Sequence, residues 1–123
     1  MDGAILLTCL SLLAYDGDTF KCDGKSMRPM GDGKPDISGY DTPEIRHRAR
    51  CELENELGKR ATVRFQELLD TPGVKVFDSR EEDVYDRPLV WVVLPNGRTA
   101  GSILIEEGHA RVWTPDYEAD WCG

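Results

Sequence analysis

The stretch AILLTCLSLLAYDGDTFKCDGKSMRPM, residues 4–30, decides the fold. It contains two Asp-Gly pairs, Asp16-Gly17 and Asp23-Gly24, each set between apolar segments. Aspartate and glycine tolerate the positive backbone angles of tight two-residue turns, so such pairs mark hairpins. The stretch therefore reads as a β-meander: a buried strand over residues 4–15, a second over 19–22 and a third over 25–30. The apolar run 4–15 is about half the length needed to span a bilayer. Asp2 stands where an export signal would carry a basic residue, and no small-residue cleavage site follows. The run is thus expected to be consumed by the fold, leaving no export signal and no membrane partner.

Beyond the meander, Gly31-Asp32-Gly33-Lys34-Pro35-Asp36 is rich in breakers and reads as an exposed loop. From 52 to 69 the period changes. Leu53, Leu57, Ala61, Phe65, Leu68 and Leu69 recur every three or four residues, the apolar face of a helix, with Gly58 a local weakness. Asp70-Thr71-Pro72-Gly73 ends it, because proline cannot continue the hydrogen-bond ladder. Residues 74–77 alternate like a strand, and PLVWVVL (88–94) is apolar and β-branched enough for a central one. Asn96-Gly97 reverses the chain, 99–107 reads as a short helix with Gly108 as its C-terminal stop, and 110–113 closes as a strand. The expected architecture is a small β-barrel with helices packed on it, an α+β fold in one domain spanning 1–123.

With 123 residues, 40% hydrophobic and 31% charged, the chain suits one ordinary core, which excludes disordered and collagen-like classes. The excess of 23 Asp and Glu over 15 Lys and Arg, a net charge of −8, argues against a protein held on nucleic acid by bulk charge. Four cysteines, Cys9, Cys22, Cys51 and Cys122, are too few for a disulfide scaffold and lack the spacing of zinc ligands. Buried reduced thiols and bridges both fit. If they pair, Cys51 with Cys122 is favoured, since a terminal Asp-Trp-Cys tail gains most from being tied down.

Four features carry polar residues that a fold alone would not need: Asp16-Gly17-Asp18-Thr19, Arg28, Asp41-Thr42-Pro43-Glu44 and Tyr85-Asp86-Arg87. Taken singly, the first is a turn and the third a rigid helix entrance. Together they form a chemical kit. Asp18 and Asp41 are hard oxygen donors for a divalent cation such as Ca²⁺. Glu44 follows Asp41 closely enough to take a proton from a water beside that cation. Arg28 and Arg87 offer permanently charged planar forks matched to phosphate oxygens. A cation, a base and two guanidinium groups suffice for phosphodiester hydrolysis.

In the order and spacing of these pieces, together with Gly108-His109-Ala110-Arg111-Val112, the chain resembles the staphylococcal-nuclease-like, or thermonuclease, family. The resemblance runs from about Tyr15 to Trp113. It implies an OB-type five-stranded barrel with helices, and a Ca²⁺-dependent endonuclease of DNA and RNA that leaves 3′-phosphates; the expected partner is single-stranded DNA or RNA and the expected state a monomer. It also implies roles: Asp18, Asp41 and the Thr42 carbonyl at the metal, Glu44 as general base, Arg87 as one catalytic arginine and Tyr85 against the nucleotide.

Two positions depart from the family's pattern. Five residues before Asp41, where the family has its other catalytic arginine, stands Asp36. If residues 31–38 loop out as an insertion, Arg28 returns to register; otherwise the arginine is lost and the site is crippled. A long surface loop costs little closure entropy, which favours the insertion. Near the C-terminus, where the family has a second pocket tyrosine, stands Trp113, able to stack on a base or to cap the core. His47 and His109 lack metal-ligand spacing and read as a solvated residue and a turn residue. The acidic surface and the insertion motivate a competing reading, a catalytically impaired OB-fold module that binds nucleic acid or a protein partner.

Overall fold

A computed structural model describes residues 3–123; Met1 and Asp2, the latter weighed above against an export signal, lie outside the described residues. The elements are β1 (Ile5–Leu7), β2 (Leu12–Asp16), β3 (Thr19–Cys22), β4 (Lys25–Pro29), β5 (Gly39–Asp41), α1 (Glu52–Leu69), β6 (Lys75–Glu82), β7 (Pro88–Val93), α2 (Ala100–Glu106) and β8 (Arg111–Trp113). Six strands form a mixed sheet in the order β1-β6-β7-β4-β3-β2, and β5 pairs with β8 in a second, two-stranded sheet. All neighbours in the large sheet are antiparallel except β4 and β7, which run parallel.

The expected closed five-stranded barrel is not what the hydrogen bonds describe. β1 and β2 lie at opposite edges of the sheet although only residues 8–11 separate them. Five Cα steps span at most about 18 Å, so the sheet must curl strongly. Among the described residues no ladder joins the two edges. The single buried strand expected over 4–15 is likewise two strands with different partners, β6 for β1 and β3 for β2. Much of it is also exposed: Ile5, Leu6, Leu10 and Leu13 each show more than half of their surface. Cys9, in the break between them, is bridged to Cys22 at the end of β3.

Asp23-Gly24 makes the expected hairpin turn, with both residues at positive φ (51° and 87°), as a type I′ turn requires. The first turn is displaced by one residue. Asp16 pairs with Thr19, so Gly17 and Asp18 form the loop and Asp16 is a buried strand residue. The strand β5 has no counterpart among the expected elements, because three residues, Gly39–Asp41, give no readable alternation. β6 extends to Glu82 because Asp78 and Glu82 still pair with Val90 and Pro88 of β7 on either side of a break in register, though Arg80, Glu81 and Glu82 are exposed. Helices α1 and α2 fall where the periodicity predicts them.

The core joins Phe20 of β3, Phe65 of α1, Val90 and Val92 of β7, Leu104 of α2 and Tyr40 of β5. Phe20 and Phe65 meet edge to face, with centroids 5.9 Å apart. Both cysteine pairs are bridged, Cys9 with Cys22 and Cys51 with Cys122, which removes the reduced-thiol reading. Among the described residues no helix is long and apolar enough to cross a membrane.

Candidate active site

The Gly17-Asp18 turn rests on Thr42. A β-carbon at Gly17 would lie 2.7 Å from the Thr42 side chain, so glycine serves here for close approach rather than for a positive φ. The contact places Asp18, 3% exposed, beneath the Asp41-Thr42 backbone, where its Oδ2 accepts the Thr42 N–H at 3.2 Å. The same oxygen meets Arg28 Nη1 at 3.3 Å, and Arg28 Nη2 donates to the Tyr40 carbonyl at 2.9 Å. Tyr40, fully buried, donates its hydroxyl to the Gly17 carbonyl at 3.0 Å. Turn, β4 and β5 are thus laced together around Asp18.

Arg28 reaches this position because residues 31–38 loop out between β4 and β5. The loop is anchored: Gly33 N–H donates to the Met30 carbonyl, Trp91 Nε1 to the Gly33 carbonyl and Thr99 Oγ1 to Asp32 Oδ1, all at 2.8–2.9 Å. Pro29 cannot donate to the ladder, and Met30 N–H bonds the Val90 carbonyl at 2.9 Å instead. Asp36 sits exposed on the loop at φ 63°.

The electrostatics follow from crowding acids around one guanidinium. Burial, then the neighbouring Asp18, pushes the Asp16 carboxyl up to about 8. Asp41 is raised by burial and by Asp18, against hydrogen bonds from Tyr117 and Trp121 that lower it. Glu44 is raised by burial and then by Asp18 and Asp41. Burial works against charge on Arg28, but Asp18, Tyr40, Asp41 and Asp16 around it leave its pKa raised.

Helix α1 seats Glu44. Glu54, 2% exposed, accepts the Glu44 N–H on Oε2 and the Arg50 N–H on Oε1, both at 3.0 Å. One turn on, a β-carbon at Gly58 would lie 2.7 Å from the Pro43 and Glu44 carbonyl oxygens. Gly58, a weakness by helix propensity, is therefore the gap into which the Pro43-Glu44 backbone fits. Arg87 is held from the opposite side: Nε donates to Asp83 Oδ2 at 2.7 Å and Nη1 to Thr19 Oγ1 at 3.0 Å. Its guanidinium lies 5.5 Å from the centroid of the exposed Tyr85 ring.

Arg28, Arg87, Tyr85 and Trp113 line one cavity of about 260 Å³, walled on its outer side by Lys34 and Asp36 of the anchored loop. The half-buried Trp113 faces this cavity rather than capping the core. Asp18, Asp41, Thr42 and Glu44 do not line this cavity, and Asp41 faces the C-terminal segment: its Oδ2 accepts Tyr117 Oη at 3.0 Å and Trp121 Nε1 at 3.3 Å. Among the described residues no three His, Cys, Asp or Glu side chains form a ready cation cage. His109 lies beside Lys59 and Arg60, apart from this cavity. Residues that sequence reasoning passed over include Asp16, Tyr40, Glu54, Asp83, Tyr117 and Trp121. Tyr40, Tyr117 and Trp121 act on residues distant in the chain, and only Asp16, the first aspartate of Asp-Gly-Asp, stood inside a motif already singled out.

A search among curated proteins returns no match. The family model described as staphylococcal nuclease homologue matches residues 36–120, well over half of the chain, from the anchored loop through β5, both helices and the C-terminal segment around Tyr117. The chain belongs to the family of staphylococcal nuclease homologues.

Proposed function

We propose that the protein is a Ca²⁺-dependent endonuclease acting on single-stranded DNA or RNA. Family membership by itself points to a nuclease or a nucleic-acid-binding module. The observation that carries the finer reading is the Arg28 guanidinium, 3.3 Å from Asp18, lining the same cavity as Arg87 across an eight-residue detour of the chain.

The donor set suits a hard dication. Asp16, Asp41 and Glu44 are all pushed up by burial and by their acidic neighbours, and Thr42 Oγ1 is buried without a hydrogen-bond partner. Asp18, Asp41 and the Thr42 carbonyl would hold the ion, which would offset this negative charge and polarise a phosphate oxygen. The chain's own residues supply the rest. Arg28 and Arg87 bind the phosphate and stabilise charge as it builds on the equatorial oxygens. Glu44, its carboxyl raised by burial and by Asp18 and its backbone pinned by Glu54, accepts the proton of the attacking water. Tyr85 and Trp113 offer flat faces for one unstacked base in the same cavity as the two arginines.

The test is hydrolysis of single-stranded DNA with Ca²⁺ and with chelator. Glu44→Gln should lower kcat at least about a hundredfold. Full activity in chelator, or in the Gln variant, refutes the reading. One observation favours the alternative of an impaired binding module: Arg28 is already paired with Asp18. Metal-dependent turnover that disappears in Arg87→Ala excludes that alternative.

A further inference from the structure

The C-terminal residues 114–123 form no helix or strand, yet they converge on a single atom of the site. Tyr117 Oη and Trp121 Nε1 both donate to Asp41 Oδ2, at 3.0 and 3.3 Å, while neither reaches Oδ1. The segment that carries them is fixed at several points. Tyr117 N–H closes a turn onto the Thr114 carbonyl at 2.9 Å, and Arg50 Nη1 donates to the Ala119 carbonyl at 3.0 Å. The Arg111 guanidinium stacks 3.9 Å from the Trp121 ring centroid and donates to the Asp120 carbonyl at 2.8 Å. Cys122 is bridged to Cys51, the residue that caps α1. That helix also seats Glu44 through Glu54.

Asp41 needs such support. It ends a three-residue strand whose only ladder partner among the described residues is β8. A carboxylate in that position is free to rotate about two bonds unless something outside the strand fixes it, and two donors on one oxygen fix both rotations. Groups that orient a metal-binding carboxylate in this way commonly matter tenfold or more to ion affinity.

We propose that residues 114–122 are a strap in which Tyr117 and Trp121 are positioning residues: they hold the Asp41 carboxylate in the orientation that binds the divalent cation, and the Cys51–Cys122 bridge holds the strap in place. The inference rests on the reading of Asp41 as a cation ligand, and the experiment separates the two.

Ca²⁺ is titrated calorimetrically into the full chain without nucleic acid, for the wild type, Tyr117→Phe, Trp121→Phe, Cys51→Ser/Cys122→Ser, Cys9→Ser/Cys22→Ser and Asp41→Asn. The expected result is a Ca²⁺ Kd about tenfold weaker in each strap variant, with the same number of ions bound at saturation. Such a midpoint shift differs from the loss of capacity that unfolding produces. Removing the remote Cys9–Cys22 bridge should lower the melting temperature without moving the Ca²⁺ midpoint. If Asp41→Asn abolishes binding while Tyr117→Phe and Trp121→Phe bind as the wild type does, the strap is refuted and the cation reading stands. If Asp41→Asn binds Ca²⁺ unchanged, the cation reading falls and the strap falls with it.

Discussion

Replacing Asp16 with asparagine should stabilise the protein, and by more the higher the pH. Asp16 is 4% exposed, its Oδ1 accepts the Asp18 N–H at 3.0 Å, and burial followed by the Asp18 charge raises its carboxyl from 3.8 to about 8. In the unfolded chain it ionises near its ordinary value, so between about pH 4 and pH 8 the folded protein keeps a proton that the unfolded chain has released. The unfolded state then binds fewer protons, and stability falls as pH rises through that window. Each pH unit costs about 1.4 kcal/mol, so from pH 5 to pH 7 the wild type loses about 2–3 kcal/mol at this residue. Asparagine reproduces the protonated carboxyl: its carbonyl can keep the Asp18 N–H, and its amide can face the Asp18 carboxylate. Urea unfolding of both proteins in chelator, at half-unit steps from pH 5 to 8, measures the difference. Contributions from other titrating groups cancel in that difference as far as they are uncoupled from Asp16. The Asn variant should gain on the wild type steadily as pH rises. A difference that is flat with pH, or that favours the wild type at pH 8, refutes the argument.

Three further outcomes are expected. Gly58→Ala should destabilise the fold by about 1–3 kcal/mol in denaturant titration, although alanine is the better helix former by about 1 kcal/mol, because the new β-carbon meets the Pro43 and Glu44 carbonyls at 2.7 Å. A stabilised variant would show that the loop yields freely. Asp83→Asn should lower kcat/KM at least about tenfold by loosening Arg87. The hydrogen bonds from Arg87 and Tyr85 hold the Asp83 carboxyl below its ordinary value despite burial, so the wild type loses this stabilisation as pH falls below about 4, and the variant should lack that acid loss in acid titration. With a net charge of −8, duplex DNA should show no tight binding in chelator at low salt, by fluorescence anisotropy; a salt-sensitive grip there would contradict the cation-dependent reading.

Periodicity was a good guide wherever one side of an element is apolar. The α1 face of Ala61, Phe65, Leu68 and Leu69 and the apolar run of β7 are legible for that reason. It was silent on β5, too short to alternate, and on the charged end of β6, where pairing with β7 rather than side-chain polarity sustains the strand. It misread residues 4–15 as one buried strand, since hydrophobicity does not reveal that the two halves pair with opposite edges of a curled sheet. The site divides in the same way. Asp18, Asp41, Thr42, Glu44, Arg28, Arg87, Tyr85 and Trp113 stand in readable motifs. Asp16 stands in one too, but reads there only as a turn residue; Glu54, Tyr117 and Trp121 do not, because each acts on a residue brought to it by folding, 10 positions away for Glu54 and Glu44 and 80 for Trp121 and Asp41.

By itself, the sequence determined the chemical inventory: acids, arginines and an aromatic pair in an order that suits phosphodiester chemistry, strung between elements whose apolar periods are local properties of the chain. Tertiary structure alone decided which of them meet. Arg28 joins Asp18 only because the 31–38 loop is anchored out of the strand path, Glu44 is seated only because Gly58 leaves a gap, and Asp41 is gripped by a tail bridged to Cys51. Such contacts depend on close approach between distant segments, which composition and spacing along one dimension do not encode.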